Sequence, residues 1–451
     1  MRARAPLRLV TLLATFGLAA CGGSAPASAP PASAAASVAA PAAASPKPAA
    51  SSRGTIKIGV VMPLTGPQAD LSKDNRDGWD TYLDSINHTV AGRKIEDVWV
   101  DDANKPDQGL TKAKQLVDSD HVQLLAGLFS TPVAYAIAGY ARDVRLPLAV
   151  TGQAGASKLL IDPKFKSPYL FRLTVGITQA SDPMADYVYK QGHRKAILLS
   201  SDFGGGLEYG DGMASAFVAR GGSIIQELHP AFGTTDFGPF LAQLSPDADV
   251  LLTFVVGADA VRFVQQYATY SGSKKLQIAG PGEVPLDPRM VSETLKDNGL
   301  GLLESTTYTE AIDTPENKRF LEAFHKKFPD RPSGENVTNG YTSAETLVAT
   351  LNKINGDVEN TQAFIDALAS IKANTARGPI AFDQDHDTIQ NIYMIRTVKH
   401  GSTYGQELLQ TYPAVSATFD RTIEQIQKFP FGDMKGKWVG ITPDKLKQLT
   451  G

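Results

Sequence analysis

Short apolar runs alternate with longer segments of helical spacing along most of this chain. Ile56-Lys57-Ile58-Gly59-Val60-Val61-Met62 reads as a strand, and residues 73–87 set Trp79, Leu83 and Ile86 on one helical face with charges between. Residues 95–100 predict a second strand, and 107–119 a second helix with Leu110, Ala113, Leu116 and Val117 inward. The run 122–126 is a third strand. After Gly127 the trio Ser130-Thr131-Pro132 predicts a helix start: a hydroxyl can accept from orphan amides, and proline in the first turn gives up no useful donor. Residues 146–150 form the next strand and run into Thr151-Gly152-Gln153-Ala154-Gly155-Ala156-Ser157.

Beyond 169–173 the rhythm restarts. Residues 182–191 read as helix and 196–201 as strand, followed by the turn Asp202-Phe203-Gly204-Gly205-Gly206 and a helix through Phe217. Strands at 224–228, 250–255 and 276–279 are separated by helices near 237–244 and 259–270. Helices at 314–328, 340–352 and 362–371 follow, then a β-hairpin of 378–382 with 389–398. Two successive sets of strand–helix alternation predict two doubly wound α/β lobes. From His400 onward no period is clear.

The stretch 121–136, HVQLLAGLFSTPVAYA, is where this pattern first suggests chemistry. A strand that feeds a helix through a Gly- and Ser-containing turn leaves free N–H groups at its carboxyl end, a place suited to a carboxylate or other small anion. The helix start at 151–157 follows a neighbouring strand, so the two sets of amides are expected to converge.

Composition narrows the setting. The chain has 451 residues, enough for two domains with sizeable cores, and a formal net charge of −3 with 20 % charged residues. That balance offers no global field for nucleic acid or an anionic membrane. Cys21 is the only cysteine, which excludes a disulfide framework and any site built from several thiolates. Arg2, Arg4 and Arg8 precede an apolar run, 9–20, that ends in Leu18-Ala19-Ala20-Cys21-Gly22; residues 1–20 therefore read as an export signal. Residues 21–53, nearly all Ala, Ser, Pro and Gly after the cysteine, read as a disordered tether. No later run approaches the ~18 continuous apolar residues of a membrane span.

Catalytic constellations are absent from the sequence. There is no G-x-G-x-x-G after the first strand, no G-x-x-x-x-G-K-[ST], no G-x-S-x-G and no H-E-x-x-H. Asp383, Asp385 and Asp387 alternate like a calcium loop, but Thr388 stands where glycine is required and Met394 where glutamate is, so a polar hairpin turn is expected. No cofactor and no catalytic residue is predicted.

Taken together, the lipobox-like start, IKIGVVMPLTGPQA, GLFSTPVAYA, PYLFRLT, SSDFGGGLEYGDG, DVLLTFVVGADAVRFVQQY, NGYTSAETL and ARGPIAFDQDHDTIQNIYMIRTV resemble, in collinear order over about 55–400, the branched-chain amino-acid-type substrate-binding proteins of ABC transporters. The resemblance implies a type I periplasmic binding protein fold: two Rossmann-like doubly wound lobes joined by three crossover strands, near 170–173, 306–310 and 377–379. One lobe would comprise 54–172 with 307–377 and the other 173–306 with 378–410, leaving 411–451 as a C-terminal tail. It also implies lipidation of Cys21, anchoring the exported protein to the outer face of the cell membrane, and a small-molecule carboxylate clamped between the lobes for delivery to an ABC permease.

On that resemblance Ser130, Thr131, Thr151, Gln153 and Ala154 are the positions matching those that hold the ligand carboxylate, and Phe203 matches a ring that closes over the ligand. Amino-acid binders place an acid after the strand that here ends at Gly280, to pair with the ligand's ammonium. Here the chain reads Gly280-Pro281-Gly282-Glu283, with Glu283 one residue late, and a buried ammonium without a counter-ion is costly. The segment resembles a subgroup whose ligands include aromatic carboxylates, so a non-amino-acid acid is favoured over a branched-chain amino acid, with Phe129, Phe203 and Tyr308 as wall residues. The rival of a different class is a ligand-sensing module of the same fold acting on a membrane signalling partner.

Overall fold

Each apolar strand divides its side chains between two separate cores, and this division builds the architecture. The computed structural model describes residues 53–270, 275–281 and 288–450. The export signal, the tether, Cys21, Gly282 and Glu283 lie outside the described residues. In β1 (Ile56–Met62), Ile58, Val60 and Met62 enter one core while Val61 enters another. The same division holds in β4 (Leu124–Gly127) and β5 (Leu148–Val150), where Leu124 and Ala149 join the first core and Leu125, Leu148 and Val150 the second. A strand covered on both faces needs no polar alternation, which is why these segments read as continuous apolar runs.

The first lobe runs β1, α1 (Ala69–Ser85), β2 (Thr89–Val90), β3 (Arg93–Asp101), α2 (Pro106–Asp118), β4, α3 (Thr131–Asp143), β5 and β6 (Leu170–Arg172). Its sheet has the order β2-β3-β1-β4-β5-β6, parallel except for the short β2. The chain then passes into the second lobe: α4 (Ile177–Lys190), β7 (Lys195–Ser200), α5 (Gly204–Ala219), β8 (Ser223–Leu228), α6 (Gly238–Leu241), β9 (Val250–Phe254), α7 (Gly257–Thr269), β10 (Gln277–Pro281), α8 (Pro288–Met290) and β11 (Leu303–Thr306). It returns for α9 (Pro315–Lys327), α10 (Glu335–Lys353) and α11 (Thr361–Ala369); Leu347 and Leu351 of α10 and Phe364 of α11 share a core with β1. A third passage leads to β12 (Lys372–Thr375), β13 (Gly378–Phe382), β14 (Thr388–His400) and β15 (Thr403–Val415), all in the second sheet. Its order is β12-β13-β14-β11-β10-β9-β7-β8, with β15 on β14. The hairpin expected at 378–398 is β13 against β14.

The three passages are pinned to one another by buried polar groups. The Arg377 guanidinium, 1 % exposed, donates to the Leu173 carbonyl and to Asn339 Oδ1, both at 2.7 Å. Glu335 accepts from the Thr307 amide and hydroxyl at 2.9 and 2.6 Å. Arg172 at the end of β6 pairs with Asp387 in the β13–β14 turn; both are buried. Asp383 Oδ1 closes that turn by accepting the Asp385 and Asp387 amides.

The segment after His400, aperiodic in sequence, is ordered and belongs to the second lobe. Among the described residues β15 pairs only with β14 and is mostly exposed or half-buried, and such an edge strand tolerates Pro413. Residues 416–450, with α12 (Ile423–Lys428) and α13 (Pro443–Thr450), then form a strap over α4 and α5. Arg421 Nε binds Asp182 at 2.7 Å, and Asp211 of α5 accepts from the Gly432 amide (2.7 Å), the Met434 amide (3.4 Å) and the Trp438 indole N–H (2.7 Å). Asp211→Ala would orphan these three donors, and a loss of about 3 kcal/mol in urea unfolding is expected.

Burial pushes the Asp211 carboxyl up to about 7 against the pull of its donors. Unfolded, it ionises near 3.8. Its contribution to stability is therefore full below that value and is lost as pH rises towards 7. Wild type is expected to lose stability relative to Asp211→Asn between about pH 4.5 and about pH 7.5, and a difference constant with pH would count against the shift.

Candidate functional site

In a doubly wound sheet the crevice opens where the strand order reverses. That point lies between β1 and β4 in the first lobe and between β7 and β9 in the second. The loops leaving these four strands lead directly into α1, α3, α5 and α7, and they meet. The Ala258 amide donates to the Pro67 carbonyl at 3.2 Å. A Cβ built on Gly204 would stand 3.0 Å from Pro132 Cγ, and one on Gly205 would stand 3.3 Å from Thr131 Oγ1. Glycines at the first positions of α5 thus allow the second lobe to close on the start of α3.

Four helix N-termini therefore gather at one interlobe cleft. The helices are 17, 13, 16 and 13 residues long, and each presents roughly half a positive charge there. The loop before α3 is shaped by its backbone: Gly127 has φ +102°, where a Cβ would overlap the Val61 carbonyl, and Leu128 follows at φ +66°. Ser130 stands at the N-cap of α3 in extended conformation, but its hydroxyl makes no capping bond, contrary to expectation. Among the described residues neither this hydroxyl nor that of Thr131 has a hydrogen-bond partner, although the residues are only 3 % and 4 % exposed.

The second loop is placed against the first but is used differently. The Thr151 and Gly152 amides both donate to the Gly127 carbonyl at 2.9 Å, and the Thr151 hydroxyl accepts the Gly127 amide at 3.0 Å. The Ala154 amide donates to the Leu128 carbonyl at 3.1 Å. The expectation that Thr151 and Ala154 offer amides to a carboxylate is therefore corrected: these groups knit the two loops together. Asn75 of α1 adds a bond from its Nδ2 to the Thr151 carbonyl at 2.9 Å. Gln153, between them, is buried, and its Nε2 has no partner among the described residues.

Phe203 is the N-cap of α5, and its ring is half-buried against Phe232 at a centroid distance of 4.7 Å. Tyr308 is corrected as a wall residue. It is 1 % exposed, its ring packs edge-on to Phe320, and its hydroxyl bonds Asn317 Oδ1 (3.0 Å) and Ser333 Oγ (3.1 Å). Phe129 likewise belongs to the core beneath β1. Two polar residues escaped the sequence pattern. Gln68, next to the Pro67–Ala258 bridge, is buried with Oε1 unpartnered among the described residues; its place immediately before α1 was the available signal. Glu208 is buried at the lobe interface, and nothing in its helical spacing marks it.

The comparisons agree with this geometry. The family model for periplasmic binding proteins matches residues 55–402. The "Leu/Ile/Val-binding protein homolog 6" of Brucella melitensis is 26 % identical over 370 residues, covering 81 % of this chain and 93 % of that protein. An ABC-transporter solute-binding protein of R. palustris in complex with benzoate is similar at TM-score 0.75 and 26 % identity, over 80 % of this chain and 98 % of its own. A second, from Rhodopseudomonas palustris BisB5 with 3,4-dihydroxybenzoic acid, has TM-score 0.74 and 30 % identity, with the same two coverages. With a family match over most of its length and two lobes that close at their switch points, this chain belongs to the periplasmic binding protein family, in its branched-chain amino-acid-binding, type I branch, and is a substrate-binding component of an ABC transporter.

Proposed function

We propose that this protein captures a small aromatic carboxylate between its lobes and delivers it to an ABC permease, held at the outer face of the cell membrane by a lipid on Cys21. The observation that carries the reading is the gathering of four helix N-termini around neutral, unpartnered donors. The Ser130 and Thr131 hydroxyls and Gln153 Nε2 suit a carboxylate, while the oriented dipoles supply positive potential without a buried cation. Phe203 at the start of α5 offers an aromatic face, and Glu283, two residues after Pro281 in the sequence, is the residue that would distinguish an ammonium-bearing ligand. Both solute-binding neighbours compared above hold benzoic-acid ligands.

Ligand closes the clamp because it contacts both lobes only in the closed state, and the closed surface is what a permease reads. In a thermal-shift series, benzoate, 4-hydroxybenzoate and 3,4-dihydroxybenzoate are expected to include at least one binder. At a hundredfold excess over Kd the gain is about 2.7 kcal/mol. Thr131→Val should weaken that binder about tenfold through one lost charge-assisted hydrogen bond. A rise with leucine alone would move the assignment to a branched-chain amino acid, the class in the Brucella relative's name.

A further inference from the structure

Glu208 lies one turn into α5, on the helix that follows Phe203, and is 7 % exposed. No cation forms an ion pair with it among the described residues. Its Oε2 instead accepts three hydrogen bonds: from the Ser157 amide at 2.8 Å, the Ser157 hydroxyl at 2.7 Å and the Tyr135 hydroxyl at 3.3 Å. All three donors belong to the first lobe. Tyr135 is one turn into α3, the helix that begins at Thr131, and Ser157 ends the loop that carries Gln153. Tyr135 is itself engaged, accepting the Lys158 amide at 3.2 Å. On the other side the strap packs Gly432 against Glu208 Cγ, and Asp211, one turn further along, holds the strap by the Gly432 amide.

We infer that Glu208 is a positioning residue for ligand capture: its carboxyl bridges α5 to α3 and to the 151–157 loop, setting the closed arrangement in which Ser130, Thr131 and Gln153 face the second lobe. The inference rests on the proposed capture of a ligand by lobe closure, and it assigns Glu208 no contact with that ligand. Opening the lobes breaks all three bonds together and returns their groups to water, so the bridge acts on the lifetime of the closed state more than on encounter. Side-chain identity matters through the acceptor oxygen, which glutamine retains and alanine lacks.

The test uses the full chain, with 3,4-dihydroxybenzoate as probe, in two independent arms. In stopped-flow binding, Glu208→Ala is expected to raise the dissociation rate at least about tenfold with the association rate within about threefold, and Glu208→Gln to recover most of the loss. Hydrogen exchange without any ligand reads the bridge directly: peptides over 151–158 should exchange faster in Glu208→Ala, while β7 and β9 keep wild-type protection and so report an intact second lobe. Tyr135→Phe, made from the opposite lobe, should shift dissociation in the same direction. Unchanged exchange over 151–158 in Glu208→Ala, or a Glu208→Gln variant as impaired as the alanine one, overturns the inference. Failure of the wild type to bind the probe, with exchange altered as expected, overturns the aromatic-acid reading and leaves the bridge standing.

Discussion

Gly340→Ala is expected to destabilise the protein by about 3 kcal/mol or more, although a glycine-to-alanine change inside a helix ordinarily stabilises by up to about 1 kcal/mol. The cause is the crossing of α1 and α10. A Cβ on Gly340 would overlap the Asn75 carbonyl oxygen, and one on Gly78 would overlap the Val337 carbonyl oxygen, so each helix presses its glycine into the other's backbone. A methyl there must push the axes apart and unpack Trp79, Leu83 and Leu347, all essentially inaccessible to solvent. Separation would also shift Asn75 away from the Thr151 carbonyl and move the N-terminus of α1 at the cleft, so ligand affinity should fall along with stability. Gly139, in α3 with open space around it, provides the opposite sign: Gly139→Ala should be neutral or stabilising by up to about 1 kcal/mol. Urea unfolding of Gly78→Ala, Gly340→Ala and Gly139→Ala decides the point, and three equal shifts would refute the backbone-contact account. Gly78→Ala and Gly340→Ala share one crossing, so their effects should not add.

Asp387→Ala is the second large effect, with an expected loss of about 3–5 kcal/mol. Arg172 and Asp387 are 3 % and 2 % exposed; Nε meets Oδ1 at 3.0 Å and Nη2 meets Oδ2 in a parallel second bond. Removing the carboxylate leaves a guanidinium buried with only the Gly155 and Ala156 carbonyls as acceptors. Those carbonyls belong to the loop that carries Gln153 and Ser157, so the ion pair also holds the cleft from behind. Asp387→Asn keeps one acceptor and should cost clearly less. The exposed pair Arg396–Glu407, at 4.0 Å with side chains 44 % and 52 % exposed, is the control; Glu407→Ala should change stability by less than about 0.5 kcal/mol. Equal losses in Asp387→Ala and Glu407→Ala would show that burial does not set the strength of the first pair.

Much of the fold was legible because its strands are covered on both faces. Largely apolar runs such as 122–126 and 250–255, each with one polar residue, admit few other readings, and helices α2, α7 and α9 start and stop within two residues of their periodic segments. Helix α10 was only half visible. The part before residue 340 carries Asn336, Thr338 and Asn339, polar residues that are nonetheless buried, and further along successive threonine hydroxyls donate four residues back, as Thr346 does to the Thr342 carbonyl at 2.7 Å. The start of α4, before residue 182, was missed for a related reason, since Thr178, Gln179 and Ser181 are all buried polar residues with no apolar stripe to announce them. β15 was missed because an exposed edge strand with a proline has little periodicity to show.

At the cleft, sequence alone determined that a strand ending at Gly127 would feed a helix starting at Ser130, because turn chemistry and capping preferences are local. The second helix start, expected at 151–157, did not form: the chain runs from β5 to β6 through loop and turns without a helix. What sequence alone did not determine was which donors remain available. The Thr151 and Ala154 amides are taken by Gly127 and Leu128, and the Tyr308 hydroxyl by Asn317 and Ser333, partners remote in sequence that only the packed sheet brings within 3.1 Å. Gln68 and Glu208 gained their places in the same way, through the meeting of switch points from two lobes. Local structure follows from dihedral preference and periodicity, which short segments carry within themselves. Hydrogen-bond satisfaction and burial are properties of the assembled fold, so tertiary structure decided which polar groups are left to hold a ligand.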